Sequence, residues 1–272
     1  MRAFRLAYDG RPFHGFQRQP EVETVEGAVL DALGELGVVG ADDDVPPGYA
    51  AAGRTDAGVS AVAQTVAFEA PDWCTPRALN GALPDAVRAW ASADVSADFH
   101  ATHDATRREY TYFLPAPEAA LGPARSAAER LSGEHDFHNL TPDDRGTVRE
   151  LAVAVDRSAD ALVLTVASDG FPRQLVRRLA SLVGAVAAGD APLERVDRVL
   201  GPEPLDGPDG VPPAPGEGLV LTAVDYPGVT FDVDEPALAD ARSAFEGRAR
   251  AARRRLATMT RVADGLDGDR ND

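Results

Sequence analysis

The apolar period of this chain constrains it most, because one order of elements is written twice. Residues 2–8 read as a strand closed by the turn pair Asp9-Gly10. Thr24 is an N-cap, and Val25, Ala28, Val29, Ala32, Leu33 and Leu36 follow at helical spacing until Gly37 stops them. Short strands are expected over 49–52 and 62–68, a helix over 75–83 with Pro76 at its first position, and a strand over 87–95. The second round opens with a strand over 109–114, with Tyr110, Tyr112 and Leu114 on one face, and a helix over 123–131. A hairpin over 147–157 and 161–168 turns at Ser158-Ala159-Asp160. A strong helix over 171–188 carries Leu175, Leu179, Leu182, Val183 and Val186 as one stripe. A turn or two over 195–200, a Pro/Gly/Asp loop over 201–218 and a strand over 219–224 finish the round.

Two strand-helix-strand-strand-helix-strand rounds predict an α+β chain of two ferredoxin-like halves, with facing sheets around a central cleft. The expected division is 1–103, 104–230 and a C-terminal piece, 231–272, holding an arginine-rich helix over 234–262 and a frayed polar tail over 264–272. No repeated words link the halves; the duplication is one of pattern.

Charge narrows the function. The 44 acidic residues outnumber the 27 basic ones, giving a net charge of −17, and every basic residue is arginine. Such a surface suits concentrated salt, although a GC-rich genome also favours Arg and Ala. Acidity argues against nucleic acid as a partner. That argument weakens at molar salt, where the Debye length is about 3 Å and only close contacts count. The arginines of the last helix are either a solvated face or phosphate contacts. A single cysteine, Cys74, gives no internal disulfide. With no signal peptide and no apolar run long enough for a bilayer, the expectation is a soluble, cytoplasmic protein.

Glycines bracket one polar word, Gly53-Arg54-Thr55-Asp56-Ala57-Gly58, which makes a tight turn open to a large neighbour. Other words stand around it in order: Tyr8-Asp9-Gly10 with Phe13, Gly15, Phe16 and Gln17; Thr24-Val25-Glu26-Gly27; Leu79-Asn80 with Leu83-Pro84; Phe99-His100-Ala101; Arg108, Tyr110 and Tyr112. Gly133, His135-Asp136-Phe137, Gly170-Phe171, Val176-Arg177, Val183-Gly184 and Pro215 with Gly218-Leu219 complete the series. Together, from about residue 4 to about 226, they resemble the tRNA pseudouridine synthase A family. The chain departs from that pattern at Ser60 (His in bacterial members), Thr102 (often Arg), and Pro172 and Leu175 (more usually Leu and Met).

The resemblance implies a synthase, free of cofactor and metal, that isomerises uridine to pseudouridine in the anticodon stem-loop of tRNA, at positions 38, 39 and 40. It implies a homodimer and makes Asp56 the catalytic carboxylate, either nucleophile or base at the sugar. Arg177 is the implied partner of Asp56, and a cation beside a carboxylate favours the charged form. Flipping a stacked base costs a few kcal/mol. Arg54 either holds the gap or pairs within its own loop. Tyr110 either stacks on the uracil or packs in the core, and Leu175 lines the pocket or packs in the core. His100/His103 and His135/His138 lie in expected loops and carry no metal expectation. The alternatives are a non-catalytic RNA-binding protein of the same fold and a pseudouridine synthase acting on another RNA.

Overall fold

The computed structural model describes residues 1–40, 43–116, 118–159, 161–205 and 207–268. The first half runs β1 (Arg2–Tyr8), α1 (Val25–Glu35), β2 (Ala50–Ala51), β3 (Ser60–Phe68), α2 (Pro76–Asn80) and β4 (Val87–Asp94). The second runs β5 (Arg107–Pro115), α3 (Leu121–Leu131), β6 (Gly133–Asp136), β7 (Val148–Ser158), β8 (Ala161–Ser168), α4 (Leu175–Ala188), α5 (Glu194–Val199) and β9 (Leu219–Asp225). Then come β10 (Asp232–Val233) and the long α6 (Glu235–Gly268).

The strands form one sheet in the order β10-β4-β1-β3-β9-β5-β8-β7-β6, with β2 beside β3. Each round of the pattern keeps its own antiparallel block, β4-β1-β3 and β9-β5-β8-β7. The halves do not face each other as separate sheets. They join edge to edge where β3 pairs in parallel with β9, Ser60 opposite Val220 and Ala61 opposite Leu221. Two open edge strands would each leave unpaired backbone groups; pairing them removes both edges.

Burial explains the local choices. Phe4 and Phe68 stack at 5.1 Å in the first half. In α4 the buried positions Leu175, Leu179, Leu182, Val183 and Val186 are the expected stripe. Gly184 lets Leu114 of β5 pack close, since a Cβ there would lie 2.9 Å from a Leu114 methyl. Thr24 caps α1 by accepting from Gly27 N, and Thr75 caps α2 by accepting from Ala78 N.

Several boundaries differ from the sequence expectation. The helix expected from 171 starts at Leu175: proline disfavours helical backbone at Phe171, and Gln174 sits left-handed at φ 61°. β6 has no apolar alternation to announce it, because its residues are half-buried or exposed along the edge of β7. β10 is a two-residue edge pairing with β4. The last helix runs past 262 to Gly268, through part of the expected tail; residues 269–272 lie outside the described residues, as does Asp160 of the hairpin turn. Among the described residues no helix is long and apolar enough to cross a membrane.

Candidate active site

The loop between β2 and β3 is held almost carbonyl by carbonyl. Thr102 Oγ1 donates to Ala51 O at 2.5 Å. Arg108 donates to Ala52 O from Nε (3.1 Å) and Nη2 (2.8 Å). Gln64, wholly buried, donates from Nε2 to Gly53 O at 2.8 Å. Thr55 is pinned twice: its hydroxyl shares a 2.8 Å hydrogen bond with buried Tyr8, and its carbonyl accepts from Phe16 N at 2.9 Å. The far flank is pressed by the segment before β9. A Cβ on Gly216 would lie 2.2 Å from Ala57 O, so only glycine fits there. Gly58 itself is left-handed, at φ 80°.

This clamping fixes where Asp56 points. Its Oδ2 accepts from Arg177 Nη1 at 2.7 Å. Arg177 is aimed from its other side, donating from Nε to Ala214 O at 2.6 Å. The Asp56 side chain is 36 % exposed and that of Arg177 only 17 %. The carboxylate is thus open to the cleft while the guanidinium behind it is more sheltered.

The cleft measures about 990 Å³ and brings together all five residues singled out in the sequence: Arg54, Asp56, Tyr110, Leu175 and Arg177. Leu175 is buried and serves both readings, as cleft wall and as core. Tyr110 is likewise buried at the cleft wall, with Phe171 edge-on to its ring at 5.2 Å and 88°. Burial pushes the Tyr110 phenol up to about 12; the Arg108 charge pulls it down and that of Asp56 pushes it up. The phenol therefore stays protonated and able to donate at any ordinary pH. Arg54 is exposed at the rim and makes no ion pair among the described residues, so the reading of a salt bridge within its own loop is not met.

Sequence reasoning missed Gln64, Phe171 and Gly216 as site residues and read Arg108 only as a motif letter. Arg108 matters geometrically: besides Ala52 O it donates to Thr102 O (2.7 Å) and, from Nη1, to Asp169 O (2.6 Å). One side chain ties the Asp56 loop to the turn that leads toward Phe171 and α4. The signal available was an arginine two residues before a buried aromatic on a strand, which is too general to assign. The departures are absorbed locally. Ser60 accepts from Gly10 N at 3.1 Å, and Thr102 holds Ala51.

A single carboxylate backed by an arginine, in a wide cleft with an aromatic wall and an unpaired arginine at its rim, defines a cleft enzyme centred on one aspartate. The profile of the tRNA pseudouridine synthase family matches residues 127–227. A protein of Haloarcula marismortui named tRNA pseudouridine synthase A is 56% identical over 98% of this chain and 100% of its own. One of the same name from Natronomonas pharaonis is 59% identical over 98% of both chains. Another, from Archaeoglobus fulgidus, is 36% identical over 90% of this chain and 91% of its own. The chain belongs to the tRNA pseudouridine synthase A family.

Proposed function

We propose that this chain isomerises uridine to pseudouridine in tRNA, with Asp56 as the catalytic carboxylate. The observation that carries the reading is the Asp56–Arg177 pair at the cleft, on a loop fixed by six hydrogen bonds from its neighbours. The reaction breaks the N1–C1′ bond, turns the base and joins C5 to C1′. A proton leaves C5 and one is gained at N1, so the net change needs no reductant or oxidant. Asp56 serves by attacking the sugar carbon or by taking a sugar proton; either way a carboxylate oxygen must face the sugar from the cleft. Arg177 holds that oxygen in place. Tyr110 offers a flat ring and a protonated hydroxyl to the base, Leu175 closes the pocket behind it, and Arg54 at the rim meets phosphate or fills the gap left by a flipped base.

Two finer parts of the reading rest on family resemblance, uridines 38, 39 and 40 of the anticodon arm and action as a homodimer; the division at 1–103, 104–230 and 231–272 rests on the repeated order of elements, and a cytoplasmic location on the sequence's lack of a signal peptide or bilayer-length apolar run. Salt adaptation is supported by the lysine-free, acidic composition and by haloarchaeal relatives. Circular dichroism from 0.1 to 3 M KCl tests it; a full fold and full turnover at the low end would refute it. The central test is carbodiimide mapping of tRNA transcripts after incubation in high salt. Pseudouridine should form in the anticodon arm with the wild type and be absent with Asp56→Asn, while tRNA binding persists. Product from Asp56→Asn would remove the aspartate from its role.

A further inference from the structure

Helix α6 changes character half-way along. Ala237 and Ala241 are buried against the body, and contact with it ends near Arg248, which pairs with the buried Asp9 at 3.1 Å. From Ala249 to Leu266 every residue is exposed. Those 18 residues project about 27 Å at 1.5 Å per residue. Between Gly247 and Ala263 the sequence places six arginines and no acidic residue, in a chain that elsewhere is crowded with carboxylates.

The partners of these arginines set them apart. Most arginines of the body meet an aspartate, a glutamate or a backbone carbonyl, as at Arg2, Arg5, Arg88, Arg108 and Arg178. Arg253, Arg254, Arg255 and Arg261 make no ion pair among the described residues, and Arg250 reaches only Glu246, at 3.6 Å. Helical spacing puts Arg250, Arg253, Arg254 and Arg261 on one face. Leu256, Met259 and Leu266, all exposed, lie on another. The placement is also specific. Arg248 leaves the body at the Asp9 turn, and the next residue, Gly10, packs so tightly on Val59 that a Cβ would lie 2.0 Å from its carbonyl. Val59 follows Asp56 by three positions and lines the cleft, so the helix leaves the body next to the end of the Asp56 loop; the arginine face lies on the side of the helix away from Ala237, Ala241 and Arg248 and is open to solvent.

We infer that the projecting half of α6 grips the phosphate backbone of the tRNA outside the cleft, through the face of Arg250, Arg253, Arg254 and Arg261. The inference rests on tRNA being the substrate. An acidic protein repels RNA at long range, so it needs a dense local patch to hold it, and guanidinium groups suit this because they bind phosphate bidentately at close contact even where salt screens the rest. The face does not select a sequence; it adds affinity by holding the RNA backbone outside the cleft.

The test compares wild type with the fourfold variant R250Q/R253Q/R254Q/R261Q, and with Arg254→Glu alone in case the fourfold change disturbs the helix. Binding of a tRNA transcript is measured across the salt range in which circular dichroism shows the fold intact. The fourfold variant should bind at least about tenfold more weakly. Its log–log salt slope should flatten by about 3, at roughly 0.7–0.9 for each of the four phosphates no longer neutralised. Turnover at saturating tRNA should stay within about twofold, and Arg254→Glu should weaken binding severalfold. Unchanged affinity and slope in both variants overturns the inference. So does loss of a wild-type dimer, seen by sedimentation, with salt slope unchanged, which would make this face a protein contact. Wild type that modifies tRNA while the variants bind equally well sinks the grip alone; wild type that neither modifies nor binds tRNA sinks the substrate reading as well.

Discussion

Asp56 Oδ2 and Arg177 Nη1 stand 2.7 Å apart although 121 positions separate them in the chain. Asp56 sits on the loop before β3 and Arg177 on α4, so the site exists only when the two rounds of elements are joined. Arg177 also holds Ala214 O through Nε, which fixes the guanidinium in one orientation.

That double duty predicts an asymmetry between substitutions. Arg177→Ala should lower kcat by about a hundredfold or more, with little change in tRNA binding, since its loss is felt at the reacting groups. Arg177→Lys should recover little, because an ammonium lacks the planar fork that serves Asp56 and Ala214 together. Single-turnover rates with excess enzyme measure both; an unchanged rate for Arg177→Ala takes the residue out of the site.

Arg108 should behave as a positioning residue. It supplies four hydrogen bonds, to the carbonyls of Ala52, Thr102 and Asp169, one more than the three N–H donors of a lysine ammonium. Arg108→Lys is expected to lower kcat by roughly tenfold while KM for tRNA moves less than twofold, because the Asp56 loop loosens and the RNA surface is untouched. A change confined to melting temperature would make Arg108 purely structural.

Alkaline pH should act on the fold before it acts on Tyr110. Burial raises the phenols of Tyr8, Tyr110 and Tyr226, the last two to about 12. The folded state thus holds these protons more tightly than the unfolded chain. The associated stability is complete below about pH 10 and is lost as pH climbs through the folded values. Urea midpoints should fall above pH 10, while the pH–rate profiles of wild type and Tyr110→Phe should run parallel up to that point. An alkaline limb near pH 8 that Tyr110→Phe removes would contradict this.

Asp9 sets the acid limit of the α6 anchor. Burial alone would raise its carboxyl, but hydrogen bonds and charge from Arg11, with Arg248 added, hold it below the usual value. A depressed carboxyl contributes stability that is present above its unfolded value near 4 and is lost as pH falls through the folded one. Asp9→Asn should therefore cost stability at pH 6 and less at pH 3, where the carboxyl of the unfolded chain is already largely protonated. Arg248→Ala should cost only about 1 kcal/mol, because it is partly exposed and Arg11 remains. Denaturant titrations at the two pH values decide it; an equal cost at both would show that the charge is irrelevant.

Much of this was readable in advance, for identifiable reasons. Caps, periodic stripes and turn pairs are local, so α1, the hairpin of β7 and β8, and α4 announced themselves. The residues from Gly53 to Gly58 read by themselves as an ordinary turn; they stood out because the words running in order around them resemble those of the tRNA pseudouridine synthase A family. What escaped was non-local. Nothing in the spacing of β3 and β9 says that they pair, so the facing sheets became a single one. Gln64 looks like any polar residue on a strand until Gly53 O is placed against it, and Gly216 looks like loop filler until Ala57 arrives.

The seam between β3 and β9 has a consequence for how the protein is made. Ser60 leaves the ribosome 160 residues before Val220, its partner across the sheet. At about 5–20 residues per second that interval is on the order of ten seconds. Throughout it, the nascent first half carries Asp56 beside a strand whose edge is covered only at its far end, by β2 at Val66 and Ala67. Neighbouring chains on a polysome present the same open edge at the same time, so until β9 arrives this edge is where two copies are able to pair wrongly.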